Sequence, residues 1–327
     1  MDKLLKNREA LLATVIVLML VFIALINPEF IVPSNLLSVY TESSILIILA
    51  LGQMLVILTR CIDLSVAANV ALTGMTMAML NSHFPEIPLI MIVALGVLLG
   101  TLLGAVNGLM VWLLNIPAIV VTLGTMSIYR GIVFLISNGE WVNAHEMSPD
   151  FINTPRTELF GVQGFALISI LVILAAYIFT EKRKLGREMY AAGNSPMAAF
   201  YTGIEVGKVQ FFAFTLSGML SGLCGYLWIS RYAVAYVDVA LGFELQVIAA
   251  CVIGGISIMG GIGTVLGCVL GALFLGVINN ALPVIGISPF WQMAISGSVI
   301  VIAVIANSKA ERKQGRIILK KASSAQN

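Results

Sequence analysis

Two stretches decide the fold: Leu11–Ile26, LLATVIVLMLVFIALI, and Ile45–Leu58, ILIILALGQMLVIL. Both are nearly continuous apolar runs, without the period-two alternation that a membrane β-strand needs. The chain around them has the same character. Of its 327 residues 59% are hydrophobic and 10% charged, with a mean hydropathy of +1.02. A soluble domain carries about 25% charged residues, so this chain cannot clothe a water-facing surface. Its solvent is lipid, where backbone polar groups must be satisfied inside helices or a closed barrel. The expected fold is all-α, a polytopic transmembrane helical bundle forming one domain over residues 1–327.

A spanning helix needs about 20 residues. Ten segments stand out, near 10–26, 43–58, 65–80, 88–114, 118–136, 164–180, 209–230, 244–258, 264–282 and 289–306. The second, third and eighth are short, which leaves open whether some are broken or re-entrant. The N-terminus resembles a signal peptide but lacks an A-x-A cleavage site, so it reads as a retained first helix.

Charge orients the bundle. With ten crossings and a cytoplasmic N-terminus, only Arg130, Arg156 and Arg231 of the 18 lysines and arginines fall outside. The others lie in the N-terminus, at Arg60, in a basic loop over 181–208 and in a tail over 307–327. That is the positive-inside pattern. The acidic stretch 137–163 then lies outside, and both termini are cytoplasmic. Tyr40, Trp228, Tyr232 and Trp291 would mark the outer interface, Trp112 and Tyr177 the inner one.

Glycines recur at four-residue spacing: Gly96, Gly100, Gly104 and Gly108, then Gly263, Gly267 and Gly271. Small residues so spaced let helix backbones approach closely in lipid. The differences 263 − 96, 267 − 100 and 271 − 104 all equal 167. The two sets would lie on the fourth and ninth spans, which run in opposite directions. This fits an inverted 5+5 repeat, a transporter habit; tight packing in any bundle also uses such spacing.

Catalytic signatures are missing. His83 and His145 are the only histidines, with no cysteine or carboxylate cluster at metal-ligand spacing. Gly203–Lys208 has the outline of a phosphate-binding loop but is one residue short between its glycines, and Val209 replaces the Ser or Thr that would hold magnesium. Cys61, Cys224, Cys251 and Cys268 sit in or beside apolar runs and read as buried hydrophobes. No cofactor, metal or nucleic-acid site is expected on this chain, and it is not read as an enzyme. Charge inside the spans is scarce as well, which argues for an external energy source, an ion-coupled secondary carrier being the alternative.

The basic loop offers a coupling device. Ser195 suits an N-cap, Pro196 the first helical turn and Gly203 the stop. They bound a helix of about seven residues, roughly 10 Å long, whose small Ala198 and Ala199 would leave a low surface for docking into another protein.

Several motifs, taken in order, resemble the permeases of the ribose, rhamnose and autoinducer-2 branch of ABC importers over nearly the whole chain. They are Thr59–Val66 (TRCIDLSV), Ile116–Gly124 (IPAIVVTLG), the loop from Gly186-Arg187 through Asn194-Ser195 to Gly203-Ile204, Gly242–Leu245, Ala249–Ser257 and Gly260–Gly263. Arg60 departs from the pattern, as do Ala67 and Ala192, where the family often has glycine. Trp141–His145 and Ser288–Gln292 look closest to rhamnose-type members. The resemblance implies a bacterial inner membrane with residues 137–163 periplasmic, a periplasmic sugar-binding protein, a second permease copy or a paralogue, and two cytoplasmic ATPase domains that hold ATP and magnesium. It makes Gly186, Arg187, Asn194, Ser195, Pro196, Ala198, Ala199 and Gly203 the ATPase coupling segment. Arg60, Asp63, Ser65, Asn69 and Thr122 become candidates for a gate or pathway.

Topology is testable directly. Asn143→Cys and Ser195→Cys, each alone in a cysteine-free background, should label oppositely with an impermeant thiol reagent on intact cells. Equal labelling would refute the ten-crossing arrangement.

Overall fold

The computed structural model describes residues 8–288 together with 291, 294, 297, 298 and 301. It is a helical bundle with short β-pairings only in connections. The helices are α1 (Arg8–Ile26), α2 (Pro33–Leu58), α3 (Val66–His83), α4 (Leu89–Leu113), α5 (Ala118–Ser137), α6 (Pro149–Asn153), α7 (Gly164–Lys182), α8 (Lys184–Asn194), α9 (Pro196–Tyr201), α10 (Val206–Tyr232), α11 (Phe243–Ile253) and α12 (Val265–Val284). Among the described residues seven are long and apolar enough to cross a bilayer: α1, α2, α4, α5, α7, α10 and α12.

The ten expected spans therefore fall into three groups. α2 is not short: Pro33 opens it, and a polar first third extends it to 26 residues, about 39 Å at 1.5 Å per residue. α3 is long but polar, and it is enclosed by protein on nearly every side. α11, with 11 residues, is about 16 Å long and too short to cross alone. The tenth segment, 289–306, lies outside the described residues apart from 291, 294, 297, 298 and 301.

α2 sits at the centre, buried from Ser43 through Leu58 on all its faces, which is what a helix apolar all round requires. α7, α10, α11 and α12 pack around it, and α3 lies against α4, α5 and α10. α4, α5 and α7 turn Leu98, Leu135 and Leu171 outward to lipid.

The most extensive helix–helix contact joins α4 to α10. A Cβ added at Gly100 would lie 2.5 Å from the Gly218 carbonyl oxygen, one at Gly104 2.9 Å from the Gly218 Cα, and one at Gly108 2.8 Å from the Phe211 Cα. Gly96, one turn earlier, has Met77 of α3 where its Cβ would stand. On α12, Gly267 and Gly271 press instead on Gly254 and Ala250 of α11. Gly263 is not on the helix: it precedes the N-cap Thr264 at φ +153°, a conformation that favours glycine, and packs on Ile256. The two glycine sets thus serve different neighbours, and the inverted repeat rests on the sequence offset alone.

The connections segregate to two ends. At one, Arg60, residues 181–208 and residues 258–264 come together, joined by a Gly261 N–H to Leu58 carbonyl bond of 3.0 Å and by Thr264 donating to Glu9. At the other, β1 (Val142–Asn143) pairs antiparallel with β4 (Val234–Ala235). There a hairpin of β2 (Glu158–Leu159) and β3 (Val162–Gln163) leads into α7. All three arginines expected outside are bound at this second end. Arg130 donates to the Val237 and Val239 carbonyls, Arg156 to those of Ser230 and Arg231, and Arg231 pairs with Glu42.

A side chain at the α4–α10 contact must separate two backbones. Overpacking costs about 1–3 kcal/mol, occasionally more, so Gly100→Leu should lower detergent stability and folded yield. Gly124→Leu, where no atom stands within 4 Å of the Cβ position, should be tolerated. Equal melting temperatures for the two variants would contradict this packing.

Candidate functional site

The first end of the bundle carries a docked helical turn. Gly186 lets α8 fold back on α7, because a Cβ there would stand 2.8 Å from the Thr180 Cα. Arg187 donates to the Lys182 carbonyl at 3.1 Å, satisfying an orphan acceptor at the C-terminus of α7. α8 ends at Asn194, and Ser195 caps α9 by accepting from the Ala198 N–H at 3.3 Å. Pro196 opens the helix and Gly203, at φ +84°, closes it.

Arg60 holds this turn to the bundle. Its Nε donates to the Gly193 carbonyl at 2.6 Å and its Nη2 to that of Asn194 at 3.1 Å. Its own backbone is left-handed, at φ +64°. Gly193 and Gly261 allow the close approach, since a Cβ on Gly261 would lie 2.5 Å from the Asn194 nitrogen. Tyr190 adds a bond from its hydroxyl to the Gly263 carbonyl at 3.0 Å, and burial pushes that phenol up to about 12.

The presented surface differs from the expected one. Ala199 is only 4% exposed and seats α9 on the bundle. Ala198 faces outward, but beside it stand Met197, Phe200 and Tyr201 at 67%, 68% and 79% exposure. The face offered to a partner is therefore large and aromatic rather than low. One small side chain must face the body for so short a helix to sit flat. In the sequence the trace of this is the pair of small residues Ala198-Ala199 set between Met197 and Phe200-Tyr201.

The gate candidates divide as well. Asp63, Ser65, Asn69 and Thr122 are closed into the interior. Asp63 Oδ1 accepts from the Ser65 N–H at 2.9 Å and from its hydroxyl at 2.6 Å, fixing the start of α3. The Gln53 amide, in the orientation that satisfies both its ends, pairs with the Asp63 backbone at 3.1 and 3.2 Å. Asn107 donates to the Ser65 hydroxyl at 2.8 Å, and Asn69 to the Gly100 carbonyl at 3.2 Å. Thr122 donates to the Ala118 and Ile62 carbonyls. Together these bonds fasten the Thr59–Ser65 turn among α2, α3, α4 and α5.

Arg60 does line a cavity. About 490 Å³ opens at this end between the Thr59–Ser65 turn and the Asn115–Ile119 connection, with Gln210 and Ile258 on its walls. Cys61 lies beside it, its thiol pushed up to about 11 by burial and hence protonated and poorly reactive at neutral pH. Among the described residues no group of three His, Cys, Asp or Glu side chains is placed to hold a metal.

Residues 35–304 match the family described as branched-chain amino acid transport system / permease component. The chain belongs to that family. The permease is 36% identical to the autoinducer 2 import system permease protein LsrC of Klebsiella pneumoniae, over 97% of this chain and 91% of the relative. It is 34% identical to the ribose import permease protein RbsC of Haemophilus influenzae, over 90% of this chain and 91% of that one. The LsrC protein of an Enterobacter strain shares 35% over 94% and 89%. No solved structure matches the permease.

Hydrogen bonds to a charged donor contribute about 1.5–3 kcal/mol, less where water competes. Arg60→Ala should therefore raise amide exchange across 193–203 while leaving α4 and α10 protected. Unchanged exchange in that segment would show that Arg60 does not hold α9.

Proposed function

We propose that this permease is the transmembrane subunit of an ATP-binding-cassette importer. It moves a monosaccharide or sugar-like solute of the ribose, rhamnose or autoinducer-2 class into the cytoplasm. A periplasmic binding protein delivers the solute. Two permease subunits, copies or paralogues, form the path, and two cytoplasmic ATPase domains bind ATP and magnesium and drive it. In this reading the Arg60 end is cytoplasmic and residues 137–163 are periplasmic.

The observation that carries the proposal is α9. It is a capped turn rigidly seated through Ala199, Gly193 and Arg60, and its Met197, Phe200 and Tyr201 side chains project from the bundle. A short helix exposing aromatics on a rigid base is suited to fill a groove in another protein, where aromatic anchors dominate affinity. Full-length likeness to proteins named as ribose and autoinducer 2 import permeases supports the solute class.

The test is association with a candidate ATPase partner. Phe200→Asp puts an unpaired charge at the contact and should weaken co-purification by about 2 kcal/mol or more, the scale of an interface hot spot. Ala199→Glu acts differently: it unseats α9 from the body and should loosen 195–203 even in the isolated permease. Normal ATPase binding and uptake by Phe200→Asp would overturn the docking role.

A further inference from the structure

We propose that the β2–β3 hairpin is a membrane anchor. Its tip, Leu159 and Phe160, inserts among the lipid headgroups at the second end of the bundle and fixes the depth of α7. The anchor requires only that α7 cross the bilayer, and it does not depend on what the permease carries.

Phe160 is 96% exposed, more than any other large apolar side chain among the described residues. Leu159 beside it is 56% exposed. Phe160 and Gly161 form the two-residue turn between β2 and β3, with φ of +55° and +75°. Positive φ at both central positions is the pattern of type I′ hairpin turns, which favour Asn-Gly or Gly-Gly. A bulky residue in the left-handed region is an outlier, and such outliers cluster where a function uses them. In water this tip would expose two large apolar side chains and hold one of them on unfavourable backbone. Insertion at the interface removes their surface from water.

The hairpin is stiff at its root. The Gly164 N–H donates to the Thr157 carbonyl at 3.1 Å and closes the base. A Cβ on Gly164 would stand 2.9 Å from the Pro155 carbonyl oxygen, so the start of α7 presses on the turn before β2. Arg156 donates to the Ser230 and Arg231 carbonyls and ties that turn to α10. The tip stands free of the protein: no atom lies within 4 Å of the Cβ position on Gly161.

Position selects lipid as the occupant. α7 follows Gln163 directly and has 19 residues, about 28 Å at 1.5 Å per residue, close to the roughly 30 Å of a hydrocarbon core. Its far end carries the exposed Glu181 and Lys182, which belong at the opposite interface. Gly164 therefore stands at the near edge of the core. The two residues of β3 add at most about 7 Å, about the depth of one headgroup layer. The tip thus stays at the interface whichever way the hairpin leans. α7 also turns Leu171, Leu174 and Ile178 outward, so the hairpin rises from a helix already in contact with the bilayer. At its other end α7 leads into α8 and α9, and the anchor sets the depth of the helix that carries the exposed turn.

The test uses the complete permease in native membranes. Phe160 is replaced by photoreactive p-benzoylphenylalanine, which keeps an aromatic side chain, and the irradiated protein is weighed intact. The same probe at Leu171, on the lipid-facing side of α7, is the positive control. We expect both positions to gain the mass of one phospholipid. A crosslink from position 160 to another protein chain, whether a second permease or a partner, overturns the anchor, as does no adduct at 160 when Leu171 gives one. Amide exchange over 157–164 in phospholipid nanodiscs gives a second readout. Phe160→Asn suits a type I′ turn better than Phe does, so a tip with no role beyond the turn should become better protected. The anchor predicts the reverse: Phe160→Asn should speed exchange there at least about threefold through local opening. Phe160→Trp, which supplies another interfacial aromatic, should keep the protection of the wild type. Unchanged or slower exchange in Phe160→Asn overturns the anchor.

Discussion

The contact between α4 and α10 sets the geometry of everything else. Lipid tails are as apolar as leucine, so two membrane helices gain nothing from hiding hydrophobic surface against each other. What remains is dispersion between closely spaced atoms, individually only about 0.1–0.2 kcal/mol per pair, and it accumulates only where backbones touch. Gly100, Gly104 and Gly108 against Phe211, Gly218 and Gly222 supply that touching surface. The approach also leaves the Gly100 carbonyl within reach of Asn69, so α3 is tied to the same seam.

From this seam the polar interior follows. α3 begins at a turn that carries a carboxylate into the protein, and a buried polar group must find partners there. Asp63 finds Ser65, Ser65 finds Asn107, and the Asp63 backbone finds Gln53. Each partner comes from a different helix or turn, so the network fixes the relative depth of α2, α3 and α4. The Thr59–Ser65 turn then has one outward-reaching member, Arg60, and it carries the rigidity of the core to α9. Motion imposed on α9 from outside would accordingly be felt in the core.

Legibility followed the range of the physics. Local features were readable: apolar runs gave the helices, and Ser195, Pro196 and Gly203 gave the bounds of α9 because capping is decided within a few residues. Nine of the ten expected segments correspond to helices, although α11 is half-length and α3 is sheltered by protein rather than lipid. The glycine spacing marked close approach on both helices but not the partners, α10 and α11, which only the fold supplies. Burial misled the reading of Ala199, because composition does not say which side of a six-residue helix faces the body. Long-range pairs were invisible: nothing near Glu42 points to Arg231, and nothing near Arg60 points to Gly193.

The central claim is that energy enters this permease at α9 from an ATPase, and not through an ion site in its own core. Its most direct measurement is solute uptake into proteoliposomes holding the permease, the ATPase and the binding protein, with ATP sealed inside and ionophores added to collapse proton and sodium gradients. The account predicts uptake that requires hydrolysable ATP and persists when both gradients are gone. Uptake by the permease alone, driven by an ion gradient and indifferent to ATP, would contradict it.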